Sequence, residues 1–185
     1  MAEIENELLL KFYESARQEL LSRVQLRENS MMIFLGGVGA VIAAAIQANQ
    51  PFFLIIIPYL ALGISFITLH HNAVIGAIII YCAYELQVHF NKINSTVPQW
   101  DNSMARLESG KSTKRYRLWG DVGLILVPSI ISVILNIQNI GDRVSYTVAI
   151  LLAIASIVFS FILLNKTLTL RSNTFKKLET SVEKK

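Results

Sequence analysis

Residues 31–48 read MMIFLGGVGAVIAAAIQA, an apolar run that contains no charged side chain. A helix needs about 20 apolar residues to cross the roughly 30 Å hydrocarbon core of a bilayer, and this run is close to that length. A helix on the surface of a soluble protein would carry charge on its wet face. The run therefore predicts a membrane-spanning helix.

The composition of the whole chain agrees with a membrane protein. Of its 185 residues 53% are hydrophobic and only 16% are charged, against about 25% charged in soluble domains. The net charge is +4, but the basic residues flank the apolar runs, where anionic lipid headgroups account for them, so nucleic-acid binding is not expected. The single cysteine, Cys82, excludes an intrachain disulfide.

Three more apolar runs follow the first, and together they predict an all-α, polytopic membrane protein with four transmembrane helices in two hairpins. The predicted spans are residues 31–48, 51–69, 118–137 and 144–164. The predicted segments are a cytoplasmic amphipathic helix (1–30), hairpin one (31–70), an interfacial or cytoplasmic helix with a basic loop (71–117), hairpin two (118–164) and a cytoplasmic basic tail (165–185).

The charges decide whether residues 71–90 form a fifth span. Their apolar core, residues 73–84, would be only about 18 Å long as a helix. With four spans, cytoplasmic segments hold four Lys and Arg before the first span, six in residues 91–117 and six after the last span, and only Arg143 lies outside. The positive-inside rule therefore favours four spans, with both termini in the cytoplasm.

The N-terminal helix carries a regular apolar stripe. Spacings of three and four residues place five apolar side chains on one face: Leu9, Phe12, Ala16, Leu20 and Val24. Acidic residues on the other face, including Glu14 and Glu19, would be repelled by anionic headgroups. We therefore expect the stripe to contact protein, namely residues 71–90, another copy of the chain or a soluble partner.

Small residues recur at helical spacing in two spans. Gly36, Ala40 and Ala44 lie four residues apart in the first span, a spacing that lets helix backbones approach closely in lipid. Either packing within the chain or an oligomer contact would account for them. A second small-residue face is predicted in the fourth span: Ala149, Ala153, Ser156 and Ser160. Asn136, near the end of the third span, is expected to hydrogen-bond between helices.

The sequence predicts neither a catalytic site nor a metal or cofactor site. Asp121 is the one carboxylate close to a span, and it lies one helical turn from Arg117, with which it can pair. An intramembrane aspartyl protease would need two such aspartates. His70, His71 and His89 lack the spacing of metal ligands on a helix. The chain is therefore not expected to be an enzyme.

Residues 8–70 are similar to SLATT-type bacterial membrane effectors. The similarity runs from Leu9-Leu10-Lys11-Phe12-Tyr13 through Arg17, Glu19, Arg23 and Arg27 into the small-residue span at Gly36. The four-span layout also resembles small membrane subunits of antiphage systems of the Kiwa type, whereas SLATT proteins typically have one hairpin. The resemblance implies a membrane-embedded oligomer, pore-forming or membrane-disrupting, under the control of a cytoplasmic partner.

These observations together predict an oligomeric inner-membrane effector or anchor subunit of a defence-type (antiphage) system. Its expected partners are membrane lipid, other copies of the chain and a soluble cytoplasmic protein. A small ion channel or transporter is the alternative, and Pro58 and Pro128 are the helix interruptions that a transporter would use.

Overall fold

The computed structural model describes residues 2–86, 89–90, 92, 104–137 and 144–183, and within these ranges the chain is helical with no strand. Four helices are long and apolar enough to cross a membrane, which confirms the all-α, four-helix prediction. The main helices are α1 (Ala2–Gln47), α2 (Ile56–Ile80), α3 (Met104–Asn136) and α4 (Val144–Glu183).

A tight turn joins α1 to α2. Asn49 adopts a φ of 51°, a left-handed conformation that asparagine tolerates better than most residues, and the Gln50 amide donates to the Ala45 carbonyl at 3.0 Å. A 3-10 segment, Pro51–Ile55, precedes α2. Pro58 consequently lies in the first turn of α2, where a missing N–H costs no helical bond, rather than in the helix interior.

Helix α2 does not end where the apolar second span was predicted to end. It continues to Ile80 and is followed by a π-helical segment, Tyr81–Leu86. No proline and only one charged residue, Glu85, occurs between residues 70 and 86, so nothing in the sequence stops the helix. Residues 71–86 are therefore helical, as predicted, but they continue α2 and do not begin a new helix. Their place in the interface or the cytoplasm stays a prediction, and residues 87, 88 and 91 lie outside the described residues.

Part of the predicted basic loop is also helical. Residues 104–117 belong to α3, which begins at Met104, fourteen residues before the predicted span. The stretch is rich in Met, Ala, Arg, Leu, Glu and Lys, which favour helix strongly enough to outweigh Gly110. Residues 93–103 of that loop and the predicted turn at 138–143 lie outside the described residues.

The chain forms two compact units. The apolar unit contains Arg27–His70 and Tyr116–Thr167, and the charged unit contains Met1–Leu26, His71–Arg115 and Leu168–Lys185. Three of the four divisions fall close to a change between apolar and charged sequence, whereas the division after His70 falls inside α2, whose apolar residues continue to Ile80.

The apolar unit buries small and polar side chains and exposes large apolar ones. Met32, Ile33 and Ile46 on α1 are more than 70% exposed, while Ser65, Ser129 and Ser160 are completely buried. A soluble protein shows the reverse arrangement. Helices in lipid gain nothing by hiding leucine or isoleucine from hydrocarbon, and they pack instead through small and hydroxyl-bearing residues. Exposed large apolar side chains around buried small and polar ones are the arrangement expected of a membrane protein.

The core of the apolar unit brings all four helices together. Its main cluster consists of Phe34 and Val38 from α1, Ile57, Ala61 and Ile64 from α2, Ile125 and Leu126 from α3, and Leu164 from α4. A second cluster consists of Ile55, Val133, Ile150 and Ala153. The helices also meet at aromatic pairs, of which Phe66 and Phe159 lie 6.4 Å apart between ring centroids.

Candidate functional site

Within the described residues no group of three or more His, Cys, Asp or Glu side chains could hold a metal ion. His71 and Cys82 are buried in the charged unit, and His70 and His89 are exposed. Asp121 is half-buried on α3, and the side chain of its expected partner Arg117 lies outside the described side chains, so that pairing stays a prediction.

The apolar stripe of α1 is partly covered within the charged unit. Leu9, Ala16, Leu20 and Val24 are half-buried, whereas Phe12 is 51% exposed. Beside the stripe, Tyr13 makes an edge-to-face contact with Phe90, with ring centroids 5.9 Å apart and planes at 88°. Contact with residues 71–90, one of the three expected partners of this helix, is thus present at this pair.

A groove of about 570 Å³ opens in the charged unit beside the uncovered end of the stripe. Leu8, Leu9 and Phe12 of α1 form one wall, and residues of the π-helical segment form the other. Segments of π-helix are rare and occur often at functional sites. Charged and polar groups share the lining with the apolar ones: Asn6, Glu85, His89 and Lys92. Two of the predicted contact residues, Leu9 and Phe12, therefore lie in a groove with mixed polarity.

The small residues of α1 lie on an uncovered face of the apolar unit. Gly36, Ala40 and Ala44 are all exposed, and a Cβ atom added at Gly36 would meet nothing within 4 Å. At 100° per residue this face is turned about 150° from the face of Val38 and Ala45, which are buried. Within the described residues, packing inside the chain therefore does not account for these small side chains.

Helix α1 is also the least covered of the four spans. Of the 18 consecutive residues with the highest mean hydropathy in α1, only 17% are buried, compared with 33–39% for the corresponding stretches of the other three helices. The difference arises because α1 contacts its neighbours along a single line, which contains Phe34, Val38 and Ala45. Most of the remaining circumference of α1 is not covered by the described residues.

The second small-residue face, on α4, is used inside the chain. Ala153 and Ser160 are completely buried and Ser156 is 7% exposed, which confirms the close-packing prediction for this helix. The Ser160 hydroxyl donates to the Ser156 carbonyl of its own helix at 2.8 Å. The Ser65 hydroxyl on α2 likewise donates to the Ala61 carbonyl of its own helix, and the Ser129 hydroxyl on α3 donates to the Ile125 carbonyl.

Two side chains of α3 bond across to the segment that precedes α2. The Asn136 amide nitrogen donates to the Pro51 carbonyl at 2.9 Å, which confirms the interhelical role predicted for this residue. The Ser132 hydroxyl donates to the Leu54 carbonyl, a contact that the sequence analysis missed. The only available signal for it was the spacing of Ser129, Ser132 and Asn136 along one face of the helix.

The four apolar helices and the inverted polarity of their packing define a candidate multi-pass α-helical membrane protein. Comparison with known proteins adds no relative, since no family model, curated protein or solved structure matches the chain.

Proposed function

We propose that this chain is a subunit of a membrane-embedded homo-oligomer that assembles through α1 and acts as an effector or anchor for a soluble cytoplasmic partner. The observation that carries the proposal is the uncovered face of Gly36, Ala40 and Ala44 on the least buried of the four helices. The cytoplasmic side of the charged unit is inferred from the charge distribution. The bacterial inner membrane and the defence-type role are inferred from the resemblance to SLATT-type and Kiwa-type membrane proteins alone.

Energetics favour a second copy over lipid at this face. Association between helices in a bilayer depends on van der Waals packing, which is strongest where small residues let two backbones approach closely. Lipid chains can fill the same surface, but they lose conformational freedom when they do so, and another helix with the same face is already rigid. Two α1 helices that cross at Gly36 and Ala40 would make such a contact.

The charged unit supports the anchor part of the proposal. Its groove presents Leu8 and Phe12, both about half exposed, beside Glu85 and Lys92. Apolar side chains rimmed by charges of both signs are typical of protein docking sites. In the four-span topology this unit faces the cytoplasm, where a soluble partner would reach it.

A matched pair of glycine substitutions tests assembly through α1. Gly36 and Gly63 lie in α1 and α2, both are exposed, and a Cβ atom at either position meets nothing within 4 Å. Gly36→Leu should therefore leave the fold of one chain intact but hold neighbouring α1 helices apart and reduce the oligomer to smaller species. Gly63→Leu adds the same bulk elsewhere and should leave the oligomer unchanged.

Light scattering coupled to size-exclusion chromatography in a mild detergent measures the protein mass of each variant. Thermal unfolding serves as the control for an intact chain. Equal masses for Gly36→Leu and the parent, or a parent that is monomeric in detergent and in crosslinked membranes, would contradict assembly through α1.

The alternative, a small channel or transporter, draws support from the buried hydroxyls of Ser65, Ser129 and Ser160, which a polar pathway could use. Each of these hydroxyls already donates to a carbonyl of its own helix, however, which favours a packing role. Ion flux into liposomes that contain the purified protein separates a channel or a pore-forming effector, both of which conduct, from a passive anchor, which does not.

A further inference from the structure

A long apolar groove runs along the apolar unit between α1 and α3. Val38, Ile42 and Ala45 of α1 face Val127, Ile131 and Leu135 of α3 across it. Leu54 and Ile57 form its floor, and its volume is about 580 Å³. No charged residue lines it. The groove is distinct from the assembly face, because Gly36, Ala40 and Ala44 lie on the other side of α1.

The length of the groove matches the depth of one membrane leaflet. Its lining extends from Val38 to Asn49, which corresponds to about 16 Å along a helix. Half of the roughly 30 Å hydrocarbon core, which is the depth of one leaflet, is about 15 Å. A single acyl chain of a lipid in that leaflet can therefore lie along the whole groove.

One end of the groove is polar. The exposed residues Asn49 and Gln50 of the α1–α2 turn line it there, and the remainder of the lining is almost entirely apolar. Carboxamide groups donate two hydrogen bonds and accept others, which suits the ester and phosphate oxygens of a lipid headgroup. In the four-span topology this turn lies at the membrane surface, at the depth of headgroups, while the apolar part of the groove lies in the hydrocarbon core.

We propose that the groove is a binding site for one acyl chain of a phospholipid in the leaflet next to the α1–α2 turn, with the lipid headgroup at Asn49 and Gln50. The lipid fills the space between α1 and α3 in each copy of the chain. The site does not depend on assembly through α1, since it is formed by a single chain.

Two valine-to-tryptophan substitutions test the site. Val127 lines the groove and is 51% exposed, and Val158 lies on α4 away from it and is 53% exposed. The parent protein and both variants are reconstituted in vesicles of phosphatidylethanolamine and phosphatidylglycerol with a trace of a phospholipid that carries a diazirine at mid-chain. After illumination, peptide mass spectrometry locates the labelled residues, and native mass spectrometry counts the lipids retained in detergent.

The parent should retain one lipid per chain and carry at least fivefold more label on the groove residues of α1 and α3 than on the exposed face of α4. Val127→Trp fills the groove and should reduce both the label and the retained lipid at least fivefold, whereas Val158→Trp should match the parent. Thermal unfolding identifies a variant that has not folded, and Ile131→Trp then replaces Val127→Trp. Ile131 is 50% exposed on the same wall.

Three results would overturn the proposal. Label that is equal on α4 and in the groove would mean ordinary annular lipid. Label that is unchanged in both groove variants would mean that the acyl chain of the lipid does not enter the groove. A disulfide that forms between two copies of an Ile131→Cys variant in membranes would mean that protein, not lipid, covers this surface.

Discussion

Ser160 provides the sharpest test of what the buried hydroxyls in the apolar unit do. It is completely buried on α4, and its hydroxyl donates to the Ser156 carbonyl one turn earlier in the same helix. If the hydroxyl serves a polar pathway, its removal should change conduction. If the small volume of serine serves close packing, removing the hydroxyl should matter little, and adding bulk should matter much more.

The expected free energies separate the two cases. Ser160→Ala removes a bond to a carbonyl that also accepts from a helical N–H, so we expect a loss of stability of at most about 0.6 kcal/mol, a typical value for hydrogen bonds in membrane helices. Ser160→Leu adds bulk to a site with no free surface, and overpacking of this kind costs about 1–3 kcal/mol. Val158→Leu, at an exposed position on the same helix, should be neutral.

Reversible unfolding by titration with sodium dodecyl sulfate in mixed micelles, followed by circular dichroism, measures these differences. We expect Ser160→Ala and Val158→Leu to match the parent within error and Ser160→Leu to unfold at a clearly lower detergent fraction. A loss of more than about 1.5 kcal/mol in Ser160→Ala, or a Ser160→Leu as stable as Val158→Leu, would refute the packing argument. Altered ion flux in a stable Ser160→Ala would favour the channel.

Two further predictions concern topology and the charged unit. Reporter fusions after residue 91 and at the C-terminus should both report the cytoplasm. A fusion at Gly141 should report the outside, because Arg143 is the one basic residue that the four-span topology places there. A periplasmic signal at residue 91 would contradict four spans. In the charged unit a Cβ at Gly76 would lie 3.1 Å from Thr174 Oγ1. Gly76→Val should therefore lower the melting temperature of the protein. Ala77→Val, at the exposed neighbouring position, is the control and should lower it less. Equal melting temperatures of the two variants would show that α2 and α4 make room for the added side chain without cost.

The spans were predictable because each one appears in the sequence as an apolar run of about 20 residues without charge, a pattern that the hydrocarbon core of a bilayer requires. The ends of the helices were not. At His70 and His71 the sequence becomes polar, but polarity marks the point at which a span leaves the hydrocarbon, not the point at which a helix stops. Because no breaker follows, α2 continues to Ile80. The same reasoning explains why α3 begins at Met104, well before its apolar part.

The faces of the helices were harder to predict than their positions. The small residues of α1 and of α4 have the same helical spacing, yet Gly36, Ala40 and Ala44 are exposed and Ala153 and Ser160 are buried. In water a leucine stripe would identify the buried face. In lipid both faces are apolar, so the hydrophobic pattern does not identify the face that meets protein.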